Sequence, residues 1–196
     1  AKYNIPILPR GSGSSLAGQA VGEALILDCS RYLDAIIKID PETHSATVEP
    51  GVILSNLNRA AAKHGLTFGP DPASAERATL GGVIGNNATG AHSILYGMSA
   101  DHLLAADVIL SDGSLATFDD LILDTGNSNP RISSITSAVQ EIRKRYSQAI
   151  QQNHPRSWRN SAGYRLNYLL PWSPSAPPQW TGGAYPANLK PDTLNL

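Results

Sequence analysis

The feature that most constrains this chain is a short glycine- and serine-rich segment, Gly11-Ser12-Gly13-Ser14-Ser15. Glycine reaches positive φ and carries no Cβ, so consecutive backbone N–H groups can converge on one point. Such a concave set of N–H dipoles binds an anion, most often a phosphate. Arg10 can add a bidentate contact to a phosphate oxygen, and Gln19 offers a side-chain amide close by. We interpret the segment as an anion-binding loop, with a flexible surface turn as the alternative.

A second segment, residues 79–90, uses small residues in the same way and reads Thr-Leu-Gly-Gly-Val-Ile-Gly-Asn-Asn-Ala-Thr-Gly. Its apolar side chains are separated by glycines, so a short helix or turn there can lie flat against a large neighbour. That neighbour is either another protein backbone, packed against the glycines, or a cofactor. We favour the cofactor because the first loop and Asp71 accompany the segment. We also expect Gly81 to let the backbone approach it.

Taken in order, these residues resemble the FAD-linked oxidases whose flavin domain is of the p-cresol methylhydroxylase or vanillyl-alcohol oxidase type. The resemblance covers roughly residues 5–118. It is nearest to the flavin subunits of glycolate oxidase, D-lactate dehydrogenase and D-2-hydroxyglutarate dehydrogenase. The positions that carry it are Pro9-Arg10-Gly11, Gly13, Gln19, Val48-Glu49-Pro50-Gly51, Pro70-Asp71-Pro72, Leu80-Gly81-Gly82, Gly90, Tyr96-Gly97, Asp101 and Asp112-Gly113.

The resemblance implies an α+β fold, a two-subdomain FAD-binding domain whose mainly antiparallel sheet is flanked by helices. Local patterns point the same way. Turn residues at 40–44 join the apolar run 35–39 to the alternating residues 46–49, which predicts a hairpin. The dipeptide Asp112-Gly113 predicts a second hairpin, and residues 5–8 predict a buried strand.

Apolar residues repeated every three or four positions predict two helices. The first covers residues 54–64, with a cap at Ser55 and a stop at Gly65. Its residues Leu54, Leu57, Ala61 and His64 share one face. The second helix covers residues 134–150, and one of its faces carries Ile135, Val139, Ile142, Tyr146 and Ile150.

The domain assignment follows from the extent of the resemblance. We assign residues 1–125 to the core of the FAD-binding domain and residues 126–196 to a basic helix and proline-rich extension of the same domain. The resemblance also predicts an opening β-α unit, a Glu-Gly-x-x-Gly segment with a closing strand, and a cap domain over the substrate, none of which the sequence contains. We therefore expect an internal portion of a longer flavoprotein, without its C-terminal cap domain or partner subunit. Such an incomplete site should hold FAD weakly.

The cofactor implied by the resemblance is FAD, with its pyrophosphate on the first loop and its flavin ring along the second segment. We expect no covalent bond, because Ser14 stands where some relatives carry an attachment histidine. The expected cofactor-binding residues are Arg10, Gly11, Ser12, Gly13, Ser14, Ser15, Gln19, Pro70, Asp71, Thr79, Leu80, Gly81, Gly82, Gly85, Asn86, Asn87, Ala88, Thr89, Gly90, His92 and Tyr96.

The implied reaction is oxidation of a small-molecule 2-hydroxy acid, in which the flavin accepts hydride and a base accepts the hydroxyl proton. Substrate-binding arginines, metal ligands and the base usually come from the cap domain in this family. His92 is the local acid/base candidate, and a loop histidine without a catalytic role is the alternative. Two other functions stay open: a non-catalytic flavin-holding subunit, and a flavin reductase of cell-wall precursor synthesis.

Composition excludes several other classes of protein. A formal net charge of −1 creates no field that would attract nucleic acid. The single cysteine, Cys29, allows no internal disulfide, and we expect it to be a buried, inert thiol. No apolar run approaches the roughly 20 residues that cross a bilayer, so we expect a cytoplasmic protein. Residues 131–165 hold seven Arg or Lys against one acidic residue, Glu141, which indicates a solvated face or a docking surface for an anion.

Overall fold

The computed structural model describes residues 3, 5–119, 130–155, 157 and 163–170. The chain divides into two compact units, and the second begins at Leu104.

The first unit opens with a parallel pair of strands, β1 (Ile7–Arg10) and β2 (Leu25–Asp28). A strand was predicted at residues 5–8, and the observed strand begins two residues later. The prediction that this strand is buried is wrong, because Ile7 is 60% and Leu25 is 55% exposed. In the described part of the chain β1 pairs only with β2, and a two-stranded ribbon covers little of either face.

The first predicted hairpin is confirmed. Strands β3 (Ile36–Asp40) and β4 (Ser45–Val48) pair antiparallel, with Asp40 opposite Ser45. The Asp40 carboxylate accepts hydrogen bonds from the backbone N–H groups of Glu42 and Thr43, at 3.1 and 3.3 Å. A side chain that accepts bonds from the following backbone in this way sets the turn without help from distant residues.

The core of the first unit forms around helix α1 (Leu54–Ala61), which continues as a 3₁₀ turn over Ala62–His64. Gly65 ends it in the left-handed region at φ 74°, as predicted. Leu54, Leu57 and Ala61 are buried, but His64 is exposed, so its predicted place on this face is wrong. The tighter 3₁₀ turn has three residues per turn and rotates the last residue away from the helical face.

The predicted cap at Ser55 is also wrong. The helix is preceded by Ile53, and Ser55 is a buried residue of the first turn. Its backbone N–H donates to the Ala75 carbonyl at 3.0 Å, while its hydroxyl bonds to none of the residues that the structure describes. A tertiary contact from residues 75–78 thus replaces the local cap: the Leu54 N–H donates to the Ala78 carbonyl at 3.0 Å.

Three short helical segments follow in the first unit: α2 (Leu80–Gly85), α3 (Ser93–Tyr96) and a 3₁₀ turn over Ser99–His102. Leu80 and Val83 of α2 pack into the same core as Val52 and Phe68. The two faces of α2 therefore differ, because its apolar side chains point into the core while three of its glycines lie at the surface.

The second unit contains the other predicted hairpin, β5 (Ala105–Ile109) and β6 (Leu115–Asp119), which is confirmed as antiparallel. The Asp112 carboxylate accepts bonds from the Ser114 N–H and hydroxyl, at 2.9 and 2.6 Å. With two antiparallel pairs and one parallel pair beside the helices, the predicted α+β class is confirmed.

Helix α4 (Pro130–Asn153) is confirmed and extends beyond the predicted residues 134–150 at both ends. Of its predicted face, Ile150 is buried, while Val139, Ile142 and Tyr146 are 37–45% exposed. A cleft of about 460 Å³ lies beside its end, lined by Ile150, His154 and Leu166 among others. His154 is buried there, and its Nε2 has no hydrogen-bond partner among the described residues.

Three further predictions concern single features. Cys29 is half-buried instead of buried, and its thiol donates weakly to the Leu27 carbonyl at 3.8 Å. Most of the proline-rich extension after residue 155 lies outside the described residues. Among the described helices none has the length and apolar character needed to span a bilayer.

Candidate functional site

The first loop, residues 11–15, follows β1 directly and therefore begins at the end of the two-stranded ribbon. Gly13 adopts φ 70°, the left-handed conformation that the sequence predicted for this loop. None of the backbone N–H groups of residues 11–15 donates a hydrogen bond to another described residue. Ser12, Gly13 and Ser14 are exposed. Within the described part of the chain the loop thus presents a series of N–H donors without partners, which is the property that an anion site requires.

Arg10 is committed to a partner inside the protein. Its Nη2 donates to the Asp28 Oδ2 at 2.7 Å. The other oxygen of Asp28 accepts from the Ser30 hydroxyl at 2.6 Å and from the Ser30 N–H at 3.0 Å. Bonds from Ser30 and Arg10 lower the pKa of Asp28 from its ordinary 3.8 to about 2. Sequence reasoning missed Asp28 and Ser30, although Asp-x-Ser is a known signal for this local turn.

The two glycine-rich segments meet at Gly11 and Thr79. Thr79 is buried, and a Cβ built on Gly11 would overlap its Oγ1. Thr79 in turn pairs with Ile53 in an isolated antiparallel bridge, next to the start of α1. Only glycine fits at position 11 with this threonine in place, so the anion loop is joined directly to the start of α2.

The glycines of α2 have different surroundings. A Cβ on Gly81 would lie 2.8 Å from the Pro50 Cβ and 3.2 Å from the Pro50 carbonyl oxygen. Gly81 therefore packs against protein, which is the alternative weighed for this segment. A Cβ on Gly82 would meet only Thr79 Oγ1 at an ordinary 3.5 Å, and one on Gly85 would meet nothing within 4 Å. Gly82 and Gly85 form an open, side-chain-free strip on the exposed face.

Residues 86–90 are held by hydrogen bonds to Met98 and to the 3₁₀ turn at Ser99–His102. Asn87, at φ 45°, accepts the Ala100 N–H at 2.8 Å, and its amide donates to Met98 Sδ at 3.8 Å. The Ala88 carbonyl accepts the Ser99 hydroxyl at 2.7 Å. The Asn87 side chain is thus used to shape the segment. Residues 98–100 were missed from sequence because their partners lie more than ten positions earlier in the chain.

A third cluster joins Asp71 to the residues after Gly90. Asp71 adopts φ 51°, and its carbonyl oxygen accepts the Ala91 N–H at 3.1 Å. A Cβ on Gly90 would overlap that oxygen. Asp71 Oδ2 lies 3.5 Å from His92 Nδ1, and the ring of Tyr96 stands edge-on to the imidazole at 6.4 Å. The buried Ser93, which was not predicted, accepts the Gly90 N–H at 2.9 Å.

Gln19, predicted to lie near the anion, is exposed and makes no hydrogen bond to another described residue. The 21 predicted cofactor-binding residues fall into buried, half-buried and exposed groups. The buried ones are Pro70, Thr79 and Leu80. The half-buried ones are Arg10, Gly11, Ser15, Asp71, Asn87, Ala88, Thr89, Gly90 and Tyr96. The exposed ones are Ser12, Gly13, Ser14, Gln19, Gly81, Gly82, Gly85, Asn86 and His92. No group of three or more potential metal ligands occurs among the residues that the structure describes.

This mixed fold joins a loop of N–H donors to a glycine-rich helix, an arrangement that suits a cofactor carrying phosphate groups. The family model described as FAD binding domain matches residues 1–119, which is more than half of the chain. The chain belongs to this family, and FAD is the cofactor for which the family is named.

Individual relatives agree with this assignment. The D-2-hydroxyglutarate dehydrogenase of Escherichia coli strain K12 is 35% identical over 166 residues, which are 83% of this chain and 16% of the relative. The glycolate oxidase subunit GlcD of Bacillus subtilis strain 168 is 35% identical over 116 residues, which are 59% of this chain and 25% of the relative. The chain therefore spans a quarter or less of these two proteins.

Solved structures show the same fold. The 6-hydroxy-D-nicotine oxidase of Arthrobacter nicotinovorans matches with a TM-score of 0.55 at 26% identity. The match covers 61% of this chain and 26% of the oxidase.

The residues present fit FAD in two physical respects. The free N–H groups of residues 11–15 suit a pyrophosphate, which needs several donors at one place. The open strip at Gly82 and Gly85 suits a flat ring, which needs backbone without protruding side chains. These two parts of the site are joined through Gly11 and Thr79.

Proposed function

We propose that this chain is the FAD-binding portion of a flavoenzyme that oxidises a 2-hydroxy acid of the glycolate, D-lactate or D-2-hydroxyglutarate type. The observation that carries the proposal is the contact of Gly11 with Thr79, which places a loop of free N–H donors beside an open glycine strip. The substrate class is supported by the names of the relatives, because D-2-hydroxyglutarate and glycolate are both 2-hydroxy acids.

Each part of the proposed site has a separate task. Residues 11–15 bind the pyrophosphate oxygens through backbone N–H groups, and Gly82 with Gly85 lets the ring system lie close to α2. Residues 86–90 line the cofactor in a conformation that Asn87 and Ser99 maintain. FAD supplies the hydride acceptor when bound, and Ser14 leaves it without a covalent bond. His92, held near Asp71, is the candidate that accepts the substrate's hydroxyl proton.

The test uses the protein expressed at its natural length. We expect the purified protein to show the visible absorbance of oxidised flavin. Under anaerobic conditions one of the three 2-hydroxy acids should bleach that absorbance, and its 2-keto acid should appear in equal amount. Methyl ethers of the same acids serve as controls, because they lack the hydroxyl proton and should leave the spectrum unchanged.

The outcomes separate the alternatives. Protein without flavin under all conditions of reconstitution would contradict cofactor binding. Bound flavin that none of the three acids reduces would contradict the enzymatic proposal and favour the flavin-holding subunit. Reduction by a nicotinamide cofactor alone would favour the flavin reductase.

A further inference from the structure

We propose that Arg10 is a positioning residue of the anion loop, and that its guanidinium is committed to Asp28 instead of to the bound phosphate. This inference rests on the proposed function, since it concerns the loop that would hold the FAD pyrophosphate. It also replaces the bidentate phosphate contact that the sequence suggested for Arg10.

The strand pairing brings Arg10 and Asp28 together. In the parallel register of β1 and β2, Arg10 is the partner of Asp28 and is the last residue of its strand. The Arg10 carbonyl accepts the Cys29 N–H at 2.8 Å, so backbone and side chain both bind the same end of β2. The pair of Arg10 Nη2 and Asp28 Oδ2, at 2.7 Å, closes the ribbon where the anion loop begins.

Asp28 is held in place by other bonds as well. Its second oxygen accepts two bonds from Ser30, at 2.6 and 3.0 Å. With three donors the carboxylate stays ionised far below neutral pH, which is why its pKa is lowered to about 2. An incoming phosphate would have to detach Arg10 from a carboxylate that is already fixed by its neighbours.

The two edges of the guanidinium differ in their access to an anion. A bidentate contact uses either the edge of Nε and Nη2 or the edge of Nη1 and Nη2. Arg10 Nε is buried and has no hydrogen-bond partner among the described residues, so a ligand cannot reach the first edge. The second edge includes the Nη2 that already donates to Asp28, so a phosphate there would share this nitrogen with a carboxylate.

The stem of Arg10 supports the loop. A Cβ built on Gly13 would lie 3.8 Å from Arg10 Cδ, so the arginine stem lies next to the left-handed turn at Gly13. Fixing the guanidinium on Asp28 fixes this stem, and the stem limits how far residues 11–15 can move. Arg10 thereby holds the loop that carries these N–H groups without contacting the anion.

The experiment measures FAD affinity for wild type, Arg10→Gln, Asp28→Asn and the double variant, in protein of natural length. If Arg10 positions the loop, each single variant should weaken binding by a similar factor of about tenfold, the weight of one hydrogen bond to a charged group. The double variant should be no weaker than either single variant, because one interaction is lost in all three.

Salt dependence separates positioning from direct contact. A guanidinium that binds phosphate adds an attraction that salt screens, so its removal would flatten the dependence of FAD affinity on ionic strength. The comparison uses the double variant, because Arg10→Gln alone leaves the Asp28 carboxylate unpaired beside the loop and adds a repulsion that salt also screens. We expect the same dependence in the double variant as in wild type. The proposal is overturned if the double variant flattens the dependence. It is equally overturned if Asp28→Asn binds FAD as tightly as wild type or more tightly, as a released Arg10 would allow.

A milder variant and a second ligand keep the test independent of folding and of flavin chemistry. Ser30→Ala removes one bond to Asp28 and should weaken FAD binding in the same direction but by less. The series is repeated with inorganic pyrophosphate, which needs only the loop. If wild type binds pyrophosphate but not FAD, the proposed function fails and Arg10 is still tested. If it binds neither, the loop is not an anion site and this inference fails too.

Discussion

Gly11 lies so close to Thr79 that a single methyl group on the glycine would overlap the threonine hydroxyl. This contact joins two segments that are distant in sequence, and it places the beginning of the anion loop against the residue that precedes α2. The separation between the loop and the open glycine strip is therefore set by this contact between a glycine and a buried threonine.

Gly11→Ala should destabilise the first unit. The added methyl group must displace buried Thr79, and overpacking of this kind costs about 1–3 kcal/mol in the free energy of unfolding. Chemical denaturation measures the change. Thr79→Ala in the same chain removes the overlapping hydroxyl and should restore most of the loss. Gly85→Ala is the matched control, since nothing lies within 4 Å of its Cβ. Equal stability of Gly11→Ala and Gly85→Ala would contradict the contact.

Valine at two neighbouring glycines separates packing from cofactor binding. Gly81→Val should lower the melting temperature, because its side chain would meet Pro50. The Cβ of Gly82→Val would meet only Thr79 Oγ1, at an ordinary 3.5 Å, so this variant should lower the melting temperature less than Gly81→Val. By filling the open strip it should weaken FAD binding by about tenfold to a hundredfold. Calorimetry and flavin titration of both variants provide the check, and full FAD affinity in Gly82→Val would remove the strip from the site.

Bound flavin should be released by acid. No histidine or cysteine lies between Arg10 and Gln19, and Ser14 provides no attachment point of the kind found in some relatives. Precipitation of the flavin-loaded protein with trichloroacetic acid should leave the yellow colour in the supernatant. Colour that stays in the pellet after washing would show a covalent bond elsewhere in the protein.

The stability of the second unit should fall on mild acidification. Burial, together with the nearby Arg165 charge, lowers the pKa of His154 below its ordinary 6.5. The unfolded chain then binds a proton before the folded unit does. Stability is therefore complete above about pH 6.5 and declines as the pH falls towards the lowered pKa.

The check for His154 is denaturation between about pH 7.5 and pH 5, which stays above the ordinary aspartate pKa of 3.8 at which an unfolded Asp112 would take up its proton. His154→Leu should flatten the decline because the leucine takes up no proton. His64→Gln serves as the control, since His64 is exposed and its loss should leave the decline unchanged. An equal decline in His154→Leu and wild type would assign the effect to other groups.

The features that the sequence predicted well are local ones. Both hairpins depend on an aspartate that bonds its own following backbone, so residues 40–45 and 112–114 carry their turn signals within a few positions. Gly65 ends a helix through its own conformation. Such signals need no knowledge of the rest of the chain.

The failures share a dependence on distant residues. Ser55 was predicted as a cap, but the Ala75 carbonyl takes its backbone N–H. The pairing of Arg10 with Asp28 was not predicted, because the register of two strands sets it. Gly81 and Gly82 have the same neighbours in the sequence. Their different surroundings in the fold come from Pro50, which packs against Gly81. Periodicity and composition do not encode these pairings, because each depends on the path of the backbone between the partners.

The meeting of Gly11 and Thr79 also has a kinetic consequence. Hairpin β3–β4 and helix α1 form between residues that are near one another in the sequence. The contact of Gly11 with Thr79 must instead close a long loop of chain. Closing a long loop costs more conformational entropy and is slower. We expect the first loop to dock after the core has formed and to detach before the core unfolds. A ligand that bridges the loop and α2 would then act on this late step, slowing detachment while leaving the rate of core formation unchanged.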